Sequence, residues 1–325
     1  MRIGIDARKI ADFGIGTYIR NLLAALVELG DEYVAFAPAD AVLPRGVEHV
    51  VVDTPHYSIR ELIVIGRAAD RARLDLFHAP HYVVPFTKVP LVVTVHDLIH
   101  LRHPNPLARL YARRMIGRAV RKARRVLTVS ETVKREIEET FGAKNVIVAP
   151  NGADHLQPAT GNSQPATHFL FVGNDKPHKN VDLAVDAAAR IGASLVLAGA
   201  PFERFRGRAQ LAGFVSDEEL AALYRGAIAL VMPSREEGFG LPALEAMRCG
   251  TAVITSTAAA LVEVTGDAAL HVAPSAGAIA DAMSRMMNDA ALRGDLIARG
   301  AARARDFTWK RCARMVRDAY FELPF

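Results

Sequence analysis

Short, β-branched apolar runs recur along this chain, each followed by a longer segment whose apolar residues return at helical spacing. That alternation predicts βα units and parallel sheets. In the first half, strands are expected at Arg2 to Asp6, Tyr33 to Ala37, Val47 to Val52, Leu74 to His78, Leu91 to Val95, Val126 to Val129 and Val146 to Ala149. Helices are expected from Thr17 to Leu29, closed by Gly30, from Ile59 to Arg73, over about 107–125, and from Glu131 to Phe141. The pattern then lapses: His155 to Thr167 is rich in Pro, Gly, Ser, Asn and Thr and reads as a linker.

A second series begins at Phe169 to Val172. It continues with strands at Ser194 to Leu197, Leu211 to Val215, Ile228 to Met232 and Ala252 to Ile254, with helices between them. The tail is helical over Ala276 to Met287, Ala290 to Arg305 and Thr308 to Phe321. The economical architecture is α/β, with two doubly wound, Rossmann-like domains over 1–155 and 168–305, a linker at 156–167 and a terminal helix at 306–325. Ligands of such sheets bind at the carboxyl ends of strands, so a cleft between two facing sheets is the expected site.

Composition narrows the class. At 325 residues and 51% hydrophobic, the chain can fill two cores. Its two cysteines, Cys249 and Cys312, have no metal-like spacing, and a reducing, cytoplasmic setting is expected. The first residues read directly as a strand, so no signal peptide is expected. No apolar run approaches the roughly 18 residues of a membrane span.

The net charge of +5 is modest, and part of it is local. Arg109, Arg113, Arg114, Arg118, Arg121, Lys122, Arg124 and Arg125 crowd one predicted helix, with Leu107, Leu110, Tyr111, Met115, Ala119, Ala123 and Val126 as its apolar stripe. A solvated face is the plain reading and a dock for an anionic membrane surface the sharper one. Nothing in the pattern suits nucleic acid.

Four stretches carry candidate chemistry. In Ser234 to Gly250, seven residues separate Glu237 from Glu245, with a Gly-Phe-Gly turn and a helix start between them. A carboxylate accepts two hydrogen bonds and so matches the vicinal hydroxyls of a sugar. Glycines admit close backbone approach, and a helix N-terminus favours a diphosphate. The plain alternative is acids placed favourably near a helix start. Phe171 to Asn180 follows a strand and opens a helix whose first turn is expected to hold Lys179, an unfavourable place for a cation unless an anion binds there. Val95-His96-Asp97 closes an apolar strand, where function concentrates. His78, His81 and His100 lie nearby without metal-ligand spacing, so no metal is expected. Gly14-Ile-Gly16-Thr17 after the first strand suits either a ligand-binding turn or a simple connection.

Taken together these stretches resemble glycosyltransferase family 4, retaining enzymes of the GT-B fold, over nearly the whole chain. Ser234 to Gly250 is similar to the family's E-x7-E signature, with Phe239, Gly240, Leu241, Pro242, Ala246, Met247 and Gly250 in place. Val95 to Leu98, Thr128 to Ser130, Ala149 to Gly152, Gly213 to Leu220 and Phe307 to Trp309 resemble further landmarks in order. The resemblance implies that Glu245 holds the donor ribose. Glu237, with the amides around Gly238, Phe239, Gly240 and Leu241, would hold the transferred sugar and the diphosphate. It further implies that Lys179 neutralises the leaving diphosphate, that His96 contacts the donor sugar and that Gly16 approaches the diphosphate. Gly173 and Asn174 would line the donor site, and Gly213, Phe214 and Val215 would frame the base. Catalytic roles fall to His96, Lys179 and Glu237.

Two departures stand out. Asn174 replaces an expected Arg, and His178 replaces Arg in a Pro-Arg-Lys-Asn run. Lys176, His178, Arg204 or Arg206 would have to supply the missing cation. The implied reaction is metal-independent hexosyl transfer with no cofactor. Similarity to mannosyltransferases of surface polysaccharide assembly favours GDP-mannose as nucleotide-sugar donor and a saccharide or lipid-linked saccharide as acceptor, at the cytoplasmic face of a membrane. A nucleotide-sugar epimerase and a non-catalytic nucleotide-sugar-binding protein are the rival readings.

Overall fold

The computed structural model describes residues 1–54, 59–156, 166–199 and 201–321. The chain forms two compact units. One comprises Met1–Asn151 with Trp309–Phe325, the other Gly152–Thr308. The core of the expected linker, 157–165, lies outside the described residues. Gly152 to Leu156 belong to the second unit because the Ala153 N–H donates to the Phe307 carbonyl at 3.1 Å and Leu156 is buried.

The first unit has seven strands: β1 (Arg2–Asp6), β2 (Glu32–Ala37), β3 (Glu48–Val51), β4 (Leu76–Ala79), β5 (Leu91–Thr94), β6 (Arg125–Thr128) and β7 (Val146–Val148). All are parallel, in the order β3-β2-β1-β4-β5-β6-β7. Central strands β4 and β5 are buried along their whole length, as a sheet covered on both faces requires. Its helices are α1 (Ile15–Val27), α2 (Ile59–Arg71), α3 (Pro106–Lys122) and α4 (Glu131–Phe141). Helix α4 shows why its bounds fall where they do: the Ser130 hydroxyl accepts from the Val133 N–H at 3.2 Å, and Gly142 closes the end in the left-handed conformation.

The second unit carries β8 (His168–Gly173), β9 (Leu195–Gly199), β10 (Gln210–Gly213), β11 (Ala227–Met232), β12 (Ala252–Ser256) and β13 (Leu270–Val272). These too are parallel, in the order β10-β9-β8-β11-β12-β13. Strand β13 was not foreseen: it is three residues long, half-buried and interrupted by His271, so it lacks an apolar run. The helices are α5 (Val181–Arg190), α6 (Asp217–Arg225), α7 (Leu241–Arg248), α8 (Ala259–Thr265), α9 (Ala276–Asn288) and α10 (Ala290–Ala304).

The last helix, α11 (Trp309–Phe321), packs in the first unit, as the expected crossing-back helix should. Trp309, Cys312, Ala313, Val316 and Tyr320 join the core that contains α1. The Tyr320 hydroxyl meets His78 Nδ1 at 2.7 Å, while His78 Nε2 meets the Thr94 hydroxyl at 2.8 Å. Burial lowers the His78 pKa to about 3, so the ring is neutral and satisfied by these two hydroxyls. It is a core residue, not a ligand.

Helix α3 corrects the expected basic helix. It starts at Pro106, capped by Asn105, and stops at Lys122; Arg125 already belongs to β6. Its buried face is Ala112, Ile116, Gly117, Ala119 and Val120. Leu107, Leu110 and Tyr111, expected on the inner stripe, are exposed at 76%, 46% and 46%. Ala112, Gly117 and Ala119 let this face lie close to the core, where Ile116 and Val120 fill the remaining space.

Candidate functional site

In the second sheet β8 and β11 are neighbours, yet β9 and β10 intervene in sequence and lie on the far side of β8. The connections leaving β8 and β11 therefore diverge, and the carboxyl ends of these two strands mark the unit's switch point. Gly173 ends β8 and Asn174 to Asn180 follow it, and Pro233 to Gly240 follow β11. The sequence candidates converge there.

Three bonds tie the two loops together. Lys179 Nζ donates to Glu237 Oε1 at 2.6 Å, with both side chains largely sheltered from solvent. The Arg235 N–H donates to the His178 carbonyl at 2.8 Å, and Asn180 Nδ2 donates to the Pro233 carbonyl at 2.9 Å. Lys179 does not sit in the first turn of α5. It ends a 3-10 turn, Pro177–Lys179, and Asn180, with φ of 51°, separates that turn from the helix. The turn swings Lys179 onto Glu237, so its cation is placed by a carboxylate. Asn180 was missed as a positioning residue; the signal was an Asn just before an apolar-periodic helix, one of the few residue types that tolerates a left-handed backbone.

Glu237 precedes Gly240, which has φ of 96° and caps α7. The positive φ favours glycine there, and a Cβ would also have to push aside the end of the Leu261 side chain, 2.5 Å away. In the first turn of α7 Pro242 has no N–H and the Ala243 N–H donates to the Gly240 carbonyl at 2.9 Å, so within that turn it is the Leu241 N–H that lacks an intrahelical partner. The Phe239 ring instead faces inward, 5% exposed and edge-on to Phe307 with centroids 6.0 Å apart. What Phe239 can offer a ligand is its backbone.

Glu245, one turn into α7, is 5% exposed. Its Oε2 accepts from the Tyr224 hydroxyl at 2.8 Å, and its Oε1 lies 3.2 Å from His155 Nε2. Burial, followed by the Glu245 charge, pushes the Tyr224 phenol well above its ordinary value, which keeps it a donor. Cys249 beside it is pushed up to about 12, by burial and then by Glu245, and stays a thiol. Neither His155 nor Tyr224 stood out in sequence, since both reach Glu245 only through the fold.

Other candidates are placed less centrally. Phe214, just beyond β10, is 69% exposed, and Gly213 ends that strand with φ of 69°. The strand stops at Gly213, so Phe214 and Val215 lie in the loop. The Asn174 amide oxygen is buried without a hydrogen-bond partner among the described residues. Of the residues that could replace the missing cation, Arg204 is held by Asp175 and Asp182 through four bonds of 2.6–2.7 Å, and Arg206 pairs with Glu203 at 2.5 Å. Lys176 stands exposed at the start of the 3-10 turn.

In the first unit, His96 follows β5. Its Nε2 lies 3.0 Å from the Pro80 carbonyl, and Tyr18 packs edge-on at 4.7 Å. A ring nitrogen facing a carbonyl donates, and burial lowers the pKa, so the ring is neutral with Nδ1 as an acceptor. Gly16 lies inside α1 and not in the preceding turn, which ends at Gly14. Its N–H already donates to the Asp12 carbonyl at 2.8 Å, and a Cβ would sit 2.5 Å from the Ile10 carbonyl oxygen. The local fold by itself accounts for glycine there.

At the β1–β4 switch point of the same sheet is a buried charged cluster. Arg8 donates to Asp6 at 2.7 and 2.8 Å and to Glu61 at 2.5 Å, and His81 Nε2 lies 3.1 Å from Asp6. All four residues are at most 5% exposed. Among the described residues no group of three or more His, Cys, Asp or Glu could hold a metal ion.

The chain is similar to known proteins along most of its length. The family described as Glycosyltransferase Family 4 matches residues 14–156, and Glycosyl transferases group 1 matches 154–303. The O-antigen chain mannosyltransferase B of Escherichia coli is 30% identical over 281 residues, covering 75% of this chain and 74% of that protein. Among solved structures, sucrose-phosphate synthase from Thermosynechococcus elongatus superposes with a TM-score of 0.85 at 22% identity, over 99% of each chain. Anabaena HepE in complex with UDP-glucose superposes with a TM-score of 0.81 at 17% identity, over 99% of this chain and 100% of that one. With two parallel-sheet units, both halves matched in chain order and a mannosyltransferase relative spanning three quarters of its length, this chain belongs to glycosyltransferase family 4.

Proposed function

We propose that this glycosyltransferase moves a hexose from a nucleotide diphosphate sugar to an acceptor hydroxyl with retention of anomeric configuration, and that the donor is GDP-mannose. The observation that carries the reading is the Lys179–Glu237 pair beside the N-terminus of α7, with buried Glu245 further along the same helix. The Lys179 ammonium has three donors, one of which Glu237 uses; the others face the diphosphate. The bond from the anomeric carbon to the leaving phosphate breaks as the acceptor oxygen attacks, and the acceptor proton passes to that phosphate. Lys179 and the backbone N–H groups around Phe239, Gly240 and Leu241 stabilise the charge that develops on it, the role a metal would otherwise fill. Glu237 orients the transferred sugar, Glu245 takes the ribose, and neutral His96 accepts a hydrogen bond from a sugar hydroxyl. Phe214 and the backbone of Gly213 and Val215 frame the base. Mannose is favoured because the Escherichia coli relative is an O-antigen chain mannosyltransferase; a nucleotide diphosphate sugar as donor is supported by the likeness to HepE, whose structure is a complex with UDP-glucose.

A thermal-shift series with nucleotide diphosphate sugars tests the donor, because a ligand bound only by the folded state raises the melting temperature. GDP-mannose is expected to give the largest shift, and proton NMR of the product should show a retained linkage. A larger shift with another donor would move the sugar assignment, and an inverted product would sink the mechanism. Conversion of donor without any acceptor would favour an epimerase, and binding without transfer a sensor.

The exposed end of α3 supports a membrane-bound acceptor. Leu107, Leu110, Tyr111 and Arg114 share one helical face, with Arg109 and Arg113 beside them, all exposed. No helix of the described residues is long and apolar enough to cross a membrane, so the contact would be interfacial, at about 1 kcal/mol per basic residue near an anionic surface. Flotation is expected with vesicles containing anionic lipid and not with neutral vesicles. The Leu107→Glu/Leu110→Glu variant should stay at the bottom of the gradient with either.

A further inference from the structure

We propose that His155 and Tyr224 are positioning residues that hold the Glu245 carboxylate in the orientation needed to accept the vicinal ribose hydroxyls of the donor nucleotide. This rests on the reading of Glu245 as the ribose-binding acid. The geometry is specific. Each carboxylate oxygen has one protein partner, the Tyr224 hydroxyl at 2.8 Å on Oε2 and His155 Nε2 at 3.2 Å on Oε1. A carboxylate has about four acceptor directions, so each oxygen keeps one. Acceptor capacity for two further donors remains on a group held from both sides, which suits a cis-diol.

The partners come from different parts of the second unit. Tyr224 ends α6 with no exposed surface, and its carbonyl is held by the Thr251 hydroxyl at 2.6 Å. His155 lies in the segment that enters the unit, where the Ala153 N–H bonds to the Phe307 carbonyl at 3.1 Å. The acid and its two holders therefore sit on three elements that are each anchored independently. Without the two donors, Glu245 would be a buried carboxylate able to rotate about its last torsion, and a buried charge demands such bonds.

The test compares dissociation constants of a nucleoside diphosphate and its 2′,3′-dideoxy analogue, measured by calorimetry on the full chain. Wild type is expected to prefer the ribonucleotide. In Tyr224→Phe and His155→Leu that preference should fall by roughly tenfold, with binding of the dideoxy analogue little changed. His155→Gln, which keeps a donor, should retain most of it. A melting curve for each variant separates misfolding from misplacement, since a purely structural role would weaken both nucleotides equally. If Glu245→Gln leaves the wild-type preference intact, Glu245 is not the ribose acid and the underlying reading fails. If Glu245→Gln abolishes the preference but both holder variants retain it, the positioning inference alone is overturned. Tighter ribonucleotide binding in His155→Leu would also overturn it, because His155 would then compete with the donor for Glu245.

Discussion

Lys179→Ala should lower kcat by roughly 100- to 1,000-fold, the loss seen when one preorganised group facing developing charge is removed. The structure makes the expectation more particular than the loss of one cation. Lys179 Nζ sits 2.6 Å from Glu237, so removing it also strands a carboxylate beside the proposed diphosphate site. The donor KM should therefore rise along with the fall in kcat. Glu237→Gln keeps the shape and removes the stranded charge. Added to Lys179→Ala, it should recover part of the donor KM without recovering kcat, a non-additive result typical of residues in contact. Steady-state kinetics on the four proteins of this cycle check it. A Lys179→Ala enzyme with kcat within twofold of wild type would remove Lys179 from the reaction.

The largest expected stability loss lies in the first unit. Arg8→Met leaves Asp6 and Glu61 buried without their cation, and breaking a buried pair in this way costs about 3–5 kcal/mol. Burial alone would raise the Asp6 carboxyl, but Arg8 and then His81 outweigh it and hold it well below its ordinary value of 3.8. A depressed folded value means that Asp6 contributes stability above the unfolded value and loses it as pH falls through the folded one. In wild type the contribution is thus complete above about pH 4. In Arg8→Met the Asp6 carboxyl loses the main charge that holds its pKa down, so the penalty is full at neutral pH and shrinks as Asp6 protonates. Urea denaturation at pH 7 and at pH 4.5 should show the gap between variant and wild type narrowing on acidification. A gap independent of pH would mean that lost packing, not charge, dominates.

Arg8 received no role from the sequence, and the reason is instructive. Its partners are two residues away, Asp6, and fifty-three residues away, Glu61, and only the β1–β4 adjacency brings the second within reach. The same holds at the donor side. The E-x7-E run and Lys179 were legible because they are local: a strand, a glycine turn and a helix start are written in consecutive residues. That the ammonium and Glu237 form a pair and that Asn180 holds Pro233 required β8 and β11 to be neighbours, a fact of strand order, while the hold of His155 and Tyr224 on Glu245 required α6, α7 and the segment before β8 to pack together. The basic helix shows the limit of periodicity. Leu107, Leu110 and Tyr111 repeat at helical spacing, yet smaller residues face the sheet and leave them in solvent.

By itself, then, the sequence determined what depends on nearest neighbours along the chain. This covers the alternation of strands and helices, the two α/β units, the helix that returns to the first of them, and the acids and lysine that mark the family. Tertiary structure alone decided which of these groups meet, which cations are already neutralised and which apolar residues remain outside. Hydrogen bonds and ion pairs act over about 3 Å, and partners 21, 58 or 90 residues apart, such as Tyr224, Lys179 and His155 with their glutamates, come within that range only when the sheets have ordered their strands.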